Sequence, residues 1–131
     1  MKKLLYTLFL ILGIGYSTFA QQGNKGEKIE SLKIAFIAGK LNLDPKTAEK
    51  FWPLYNQYDN EMHGLMQEFK AAKHSDDQQV EDMLDQQQKA LDLKRKYTAI
   101  FLKVISNEQV SQLFRAEKEF RQMVLKRAKR N

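Results

Sequence analysis

From residue 27 onward, apolar side chains recur at spacings of three and four, the period of a helix that buries one side. Ile29, Leu32, Ala35 and Phe36 open the pattern, Ile34, Ile37 and Leu41 widen it, and together they predict a first helix over residues 27–41. Asp44-Pro45 then offers an N-cap acid followed by proline at the first helical position, where its missing N–H costs nothing. Phe51, Leu54, Tyr55, Tyr58, Met62, Leu65, Met66 and Phe69 carry the rhythm through a second helix, expected over residues 45–73. Pro53 interrupts it with one lost donor and a clash toward the carbonyl four residues back, so a bend is expected near residues 49–53.

Ser75-Asp76-Asp77-Gln78 has the form of a capping box, in which the serine oxygen takes the amide three residues on and Gln78 reaches back. It predicts a third helix over residues 76–104, built on Val80, Met83, Leu84, Gln87, Leu91, Thr98 and Phe101. Ser106-Asn107-Glu108-Gln109 repeats the box and opens a fourth helix over residues 107–128, carried by Val110, Leu113, Phe114, Phe120, Met123 and Val124. No strand-like alternation competes, so the class is all-α with four helices. The second and third helices are close to equal in length and joined at His74-Ser75, which predicts a long antiparallel helical hairpin with flanking helices. A faint repeat at an offset of 62 residues pairs Leu43-Asp44 with Ile105-Ser106, Phe51-Trp52 with Leu113-Phe114, and Tyr58 with Phe120.

The first twenty residues change the setting. Lys2 and Lys3 precede an apolar run and the small-residue end Thr18-Phe19-Ala20, the three-part pattern of a secretory signal peptide, with cleavage expected after Ala20. Residues 21–26 read as a disordered lead, and residues 27–131 as a single helical domain. The chain is thus expected to be exported and soluble. It has no cysteine, so stability rests on packing although export permits disulfides. Charge is uneven: residues 118–131 are strongly basic, whereas Asp76, Asp77, Glu81, Asp82 and Asp85 crowd a stretch without a base. A basic end raises nucleic acid as a partner, and export argues against it.

Candidate chemistry is sparse. There is no nucleophile elbow, phosphate loop or metal triad, so no catalytic residue, no cofactor and no enzyme are expected. His63 and His74, with Met62 and Met66, are the soft or imidazole ligands within reach of a metal argument. No cysteine or clustered carboxylate joins them, and the expected outcome is core methionines, surface histidines and no metal.

The helix starts "LDPKT" at 43–47 and "ISNEQ" at 105–109, following a signal peptide in a small cysteine-free helical chain, resemble the LTxxQ signature of the Spy/CpxP family. "LNLDPKTAEKFWPLYNQY" and "ISNEQVSQLFRAEKEF" look like that family's motif regions. Asp44 and Thr47 stand for the first motif's Thr and Gln, Ile105 and Ser106 for the second motif's Leu and Thr, and Gln109 keeps the final glutamine. In this chain Leu43, Asp44, Pro45, Ser75, Ile105, Ser106 and Gln109 serve as motif and helix-cap positions. The resemblance implies an elongated four-helix hairpin that pairs into a curved homodimer. It also implies a periplasmic role in envelope stress, either as a nucleotide-independent chaperone for unfolded or misfolded envelope proteins or as an adaptor for a membrane sensor's periplasmic domain or a metal sensor.

Long thin helices cannot bury every apolar side in a chain this short, so some apolar surface should meet a dimer mate or a client. The candidates for client contact are Trp52, Tyr55, Tyr58, Met62, Met66 and Phe69, with Arg115 and Arg121 steering acidic chains toward them. Trp52 is the ambiguous one. It falls about 100° off the line through Phe51, Tyr55 and Tyr58, which suits either docking against another helix or an exposed grip.

Overall fold

The computed structural model describes residues 25–131; the expected signal peptide and residues 21–24 of the expected lead lie outside the described residues. Within them are four helices and no strand: α1 (Lys25–Leu41), α2 (Pro45–Ala71), α3 (Gln79–Phe101) and α4 (Asn107–Arg130). The all-α class with four helices therefore stands. Contacts divide the chain into two units, with the boundary between Ala35 and Phe36, inside α1. In the first unit the described residues are the opening turns of α1. There the Ser31 hydroxyl donates to the Glu27 carbonyl (3.0 Å), and Lys33 pairs with Glu30 one turn back (3.0 Å). The helix starts two residues earlier than expected, so Lys25 and Gly26 are helical rather than part of a lead.

In the second unit, α1 ends at Asn42, which takes a left-handed conformation (φ 46°) while its amide donates to the Ala38 carbonyl at 3.0 Å. Asparagine tolerates that geometry better than most side chains. The chain is thereby turned into Asp44, whose carboxylate accepts from the Thr47 hydroxyl (2.5 Å) and the Thr47 amide (3.4 Å). Those bonds, the hydroxyl's foremost, hold the Asp44 carboxyl below its usual range. Pro45 takes the first helical position as expected. α2 then continues through Pro53 rather than ending there. Pro53 and Glu49 are both exposed, so water can satisfy the carbonyl that proline leaves without a donor.

α2 and α3 lie against each other with falling pair numbers. Phe51 meets Phe101, Tyr58 meets Tyr97, the Tyr97 hydroxyl donates to Glu61 Oε1 (2.7 Å), and Gln86 reaches Met66. Phe101, fully buried, sits among the rings of Phe51, Tyr55, Tyr58 and Tyr97, with centroids 5.4–6.5 Å apart, the range in which tilted aromatic pairs attract. Val110, Leu113, Ala116 and Phe120 from α4, Ile37 and Leu41 from α1, and Ile105 just before α4 complete the buried apolar set among the described residues. Phe36 leans on Phe120 at 5.8 Å, and Lys40 pairs with Glu119 at 3.3 Å.

Two helix ends differ from the sequence reading. The box at Ser75 does not form: the Ser75 hydroxyl faces the Gln78 side-chain oxygen at 3.4 Å, the Gln78 amide donates to the Ser75 carbonyl at 3.0 Å, and α3 begins at Gln79 without a side-chain cap. A local turn has used the groups that the box needs. At its other end α3 stops at Phe101, because Lys103 and Val104 donate to carbonyls three residues back and tighten the last turn. Ser106 does what Ser75 does not. Its hydroxyl accepts the Gln109 amide (3.1 Å) while Gln109 Oε1 accepts the Ser106 amide (2.9 Å), a complete capping box. The positions matched at offset 62 share their environments: Asp44 and Ser106 both cap, Phe51 and Leu113 are both fully buried, and Tyr58 and Phe120 both lie in the core.

This core ranks substitutions. Phe101→Ala should destabilise by about 3–5 kcal/mol, as for a large ring removed from a packed interior. Ser106→Ala should cost about 1 kcal/mol, as for a lost N-cap. Ser75→Ala should change stability by less than about 0.5 kcal/mol, being an exposed residue without a cap bond. Urea unfolding followed by circular dichroism measures all three.

Candidate functional site

The aromatic stripe of α2 is spent inside the chain. Tyr55 and Tyr58 are buried, and the Tyr55 hydroxyl donates to Glu117 Oε2 of α4 at 3.4 Å. Their ring surface is therefore not available to a client in this state. Trp52 is half-buried and packs edge-on against its own helix neighbours, Phe51 at 5.1 Å and Tyr55 at 5.6 Å. Met62 and Phe69 are half-buried, whereas Met66, Arg115 and Arg121 are exposed. The caps at Asp44 and Ser106 sit at helix starts, with Leu43 half-buried and Ile105 buried behind them, so they act on local structure.

Polar groups around the core respond to it. The Tyr58 phenol titrates well above its ordinary range, first because it is buried and then because Glu117 and Asp59 lie close, with Arg121 opposing them in part. Tyr97 is also pushed up, by burial and by its bond to the Glu61 carboxylate. The two histidines sit apart in role. His63 is exposed beside Asp59, with Nδ1 3.8 Å from a carboxylate oxygen. His74 is half-buried at the α2–α3 turn, 2.8 Å from both Asp82 and the Phe69 carbonyl. Met66 Sδ meets the Gln86 amide at 2.8 Å rather than an imidazole.

An apolar surface does exist, on the other helix. Val80 (62 %), Met83 (42 %), Leu84 (48 %) and Leu91 (44 %) expose large fractions of their side chains along one side of α3. They were expected to form that helix's buried face. Instead α3 is rolled so that Gln86 and Tyr97 meet α2 and Asp82 meets His74 in the turn between the two helices. The stripe itself is legible in the sequence, but its exposure is not: the spacing shows that the residues share a side, and only the partner helix decides which side is covered. On α4, Met123 (44 %) and Leu125 (57 %) are exposed among the basic residues near its end.

What this surface can do is bind. Flexible methionine and leucine side chains, rimmed by charge, accommodate varied apolar partners without requiring one shape. No described helix is long and apolar enough to cross a membrane. Comparison with family models, curated proteins and solved structures gives no match.

The tyrosines supply a test of the core. Because Tyr58 and Tyr97 hold their protons more tightly folded than unfolded, their contribution to stability should be constant up to the ordinary tyrosine value near 10 and fall above it, as the unfolded chain ionises first. Phenolate absorbance followed from pH 9 upward should show their ionisation arriving together with loss of helix; smooth ionisation in the folded chain would contradict the burial.

Proposed function

We propose that this chain is an exported, chaperone-like protein that holds apolar segments of unfolded envelope proteins during stress, without nucleotide and without catalysis. The observation that carries the reading is the exposed stripe Val80, Met83, Leu84 and Leu91 on α3, an apolar side with no cover among the described residues. Each such side chain, already about half covered, contributes about 1 kcal/mol when a partner buries the rest, enough for weak reversible holding when several act together. Exposed Arg115 and Arg121, with the basic end of α4, support steering of acidic chains.

Three further elements belong to this reading. The signal-peptide pattern of residues 1–20 supports export to the periplasm. The falling pair numbers between α2 and α3 support a hairpin as the working unit. The likeness of "LDPKT" and "ISNEQ" to the Spy/CpxP signature supports a curved two-copy assembly. The client face in this reading differs from the one the sequence suggested: it moves from the aromatics of α2 to the aliphatic stripe of α3.

Adding the chain to an aggregating client and following light scattering tests the reading. The wild type should suppress scattering, and Leu84→Glu with Leu91→Glu should weaken client binding roughly tenfold or more, since two exposed leucines leave the contact. Both positions are exposed, so helix content should hold. No suppression at several-fold excess would sink the chaperone role, and a fixed-stoichiometry complex with a membrane sensor's periplasmic domain would then favour an adaptor.

A further inference from the structure

His74 lies where α2 hands the chain to α3. Its Nε2 is 2.8 Å from the Phe69 carbonyl oxygen and its Nδ1 is 2.8 Å from Asp82 Oδ2. Both partners can only accept. A neutral imidazole carries one N–H and one lone pair, so in either tautomer one of these contacts sets a lone pair against an oxygen. The imidazolium alone donates to both.

The surroundings favour the same form. Phe69 belongs to the last turns of α2, where carbonyls lack intrahelical donors and a cation is welcome. Asp82 lies in the first turn of α3, where a carboxylate is welcome, and its amide donates to the Gln78 carbonyl at 2.9 Å. The imidazole ring also packs on the Phe69 ring with centroids 4.5 Å apart. A cleft beside it brings Glu68 from α2 and Asp82, Asp85 and Lys89 from α3, three acids against one base. In the connecting turn, Lys73, Asp76 and Asp77 are exposed.

We propose that His74 is a proton-operated clasp that fastens the start of α3 to the end of α2, closed while the imidazole is charged and loosened when it gives up its proton. Little else fastens this end: the Ser75 box is absent, α3 has no side-chain cap, and the aromatic cluster lies at the far ends of both helices. Loosening bares Leu65 and Phe69, which line the cleft next to His74. This device stands whether or not the exposed stripe holds clients.

The sign follows from the bonds. Asp82 first, then the Phe69 carbonyl, raise the His74 pKa above its ordinary value, so the clasp is fully formed below about pH 6.5 and is lost as pH rises through the raised value. With two histidines in the chain, imidazole NMR signals of the full chain are readily assigned by their loss in His74→Gln. Amide hydrogen exchange, expressed as protection relative to the free peptide, supplies the second readout. We expect His74 to titrate above the ordinary value and Asp82→Asn to bring it down. Protection across residues 69–82 should drop between the acidic and alkaline sides by about tenfold per unit of that elevation. His74→Gln should show the low protection at every pH, with α4 amides unchanged as the control for folding. The proposal is overturned if His74 titrates at or below the ordinary value, or if wild type and His74→Gln are equally protected in this segment on both sides of the titration.

Discussion

Phe101 closes α3 by inserting among Phe51, Tyr55, Tyr58 and Tyr97, and much of the remaining arrangement follows from that contact. A helix turns by about 100° per residue, so directing Phe101 and Tyr97 at α2 settles the orientation of every earlier residue on α3. Gln86 and Ala90 come round to the same side. Leu84 and Leu91 end roughly a quarter to a third of a turn away and stay exposed. The exposure of Leu84 and Leu91 thus follows from aromatic packing at the opposite end of the helix. The same contact places Ile105 and Ser106, where the chain re-enters as α4, directly after the buried ring.

The two ends of the α2–α3 pair are consequently different materials. One end is held by rings that exclude water, which is where burial contributes most. Along the rest, the helices are joined by polar contacts: Tyr97 and Lys96 to Glu61, Gln86 to Met66, and His74 to Asp82. Lys96 and Glu61 are exposed, at 3.5 Å, and a pair of that kind contributes at most about 1 kcal/mol. Local opening should begin where apolar contacts are fewest, which is the turn between Ala71 and Gln79. A proton-dependent contact placed there governs a small local free energy rather than the whole fold. That is the setting in which one histidine has influence.

Helix existence and most helix starts were legible because they depend on near neighbours in sequence. Asp44 with Thr47, and Ser106 with Gln109, close bonds over three residues and need nothing from elsewhere. Ser75 had the same letters and a different outcome, since its turn engages Gln78 in another way and His74 ties the segment to Asp82 and Phe69. Spacing carries no sign of such a bond. His74 could be read as a surface histidine because its acceptors, a backbone carbonyl and a carboxylate eight residues on, leave no periodic trace.

By itself, the sequence determined four helices, their approximate limits and the two good caps. Each of these rests on local bonds or on a period that one helix displays alone. Only the tertiary structure decided which side of α3 is covered, that Tyr55 and Tyr58 are enclosed while Leu84 and Leu91 are not, and that His74 stands between two acceptors. An amphipathic helix announces that it has an apolar side, but its rotation is set by the partner that excludes the most water, and that partner lies tens of residues away in the chain.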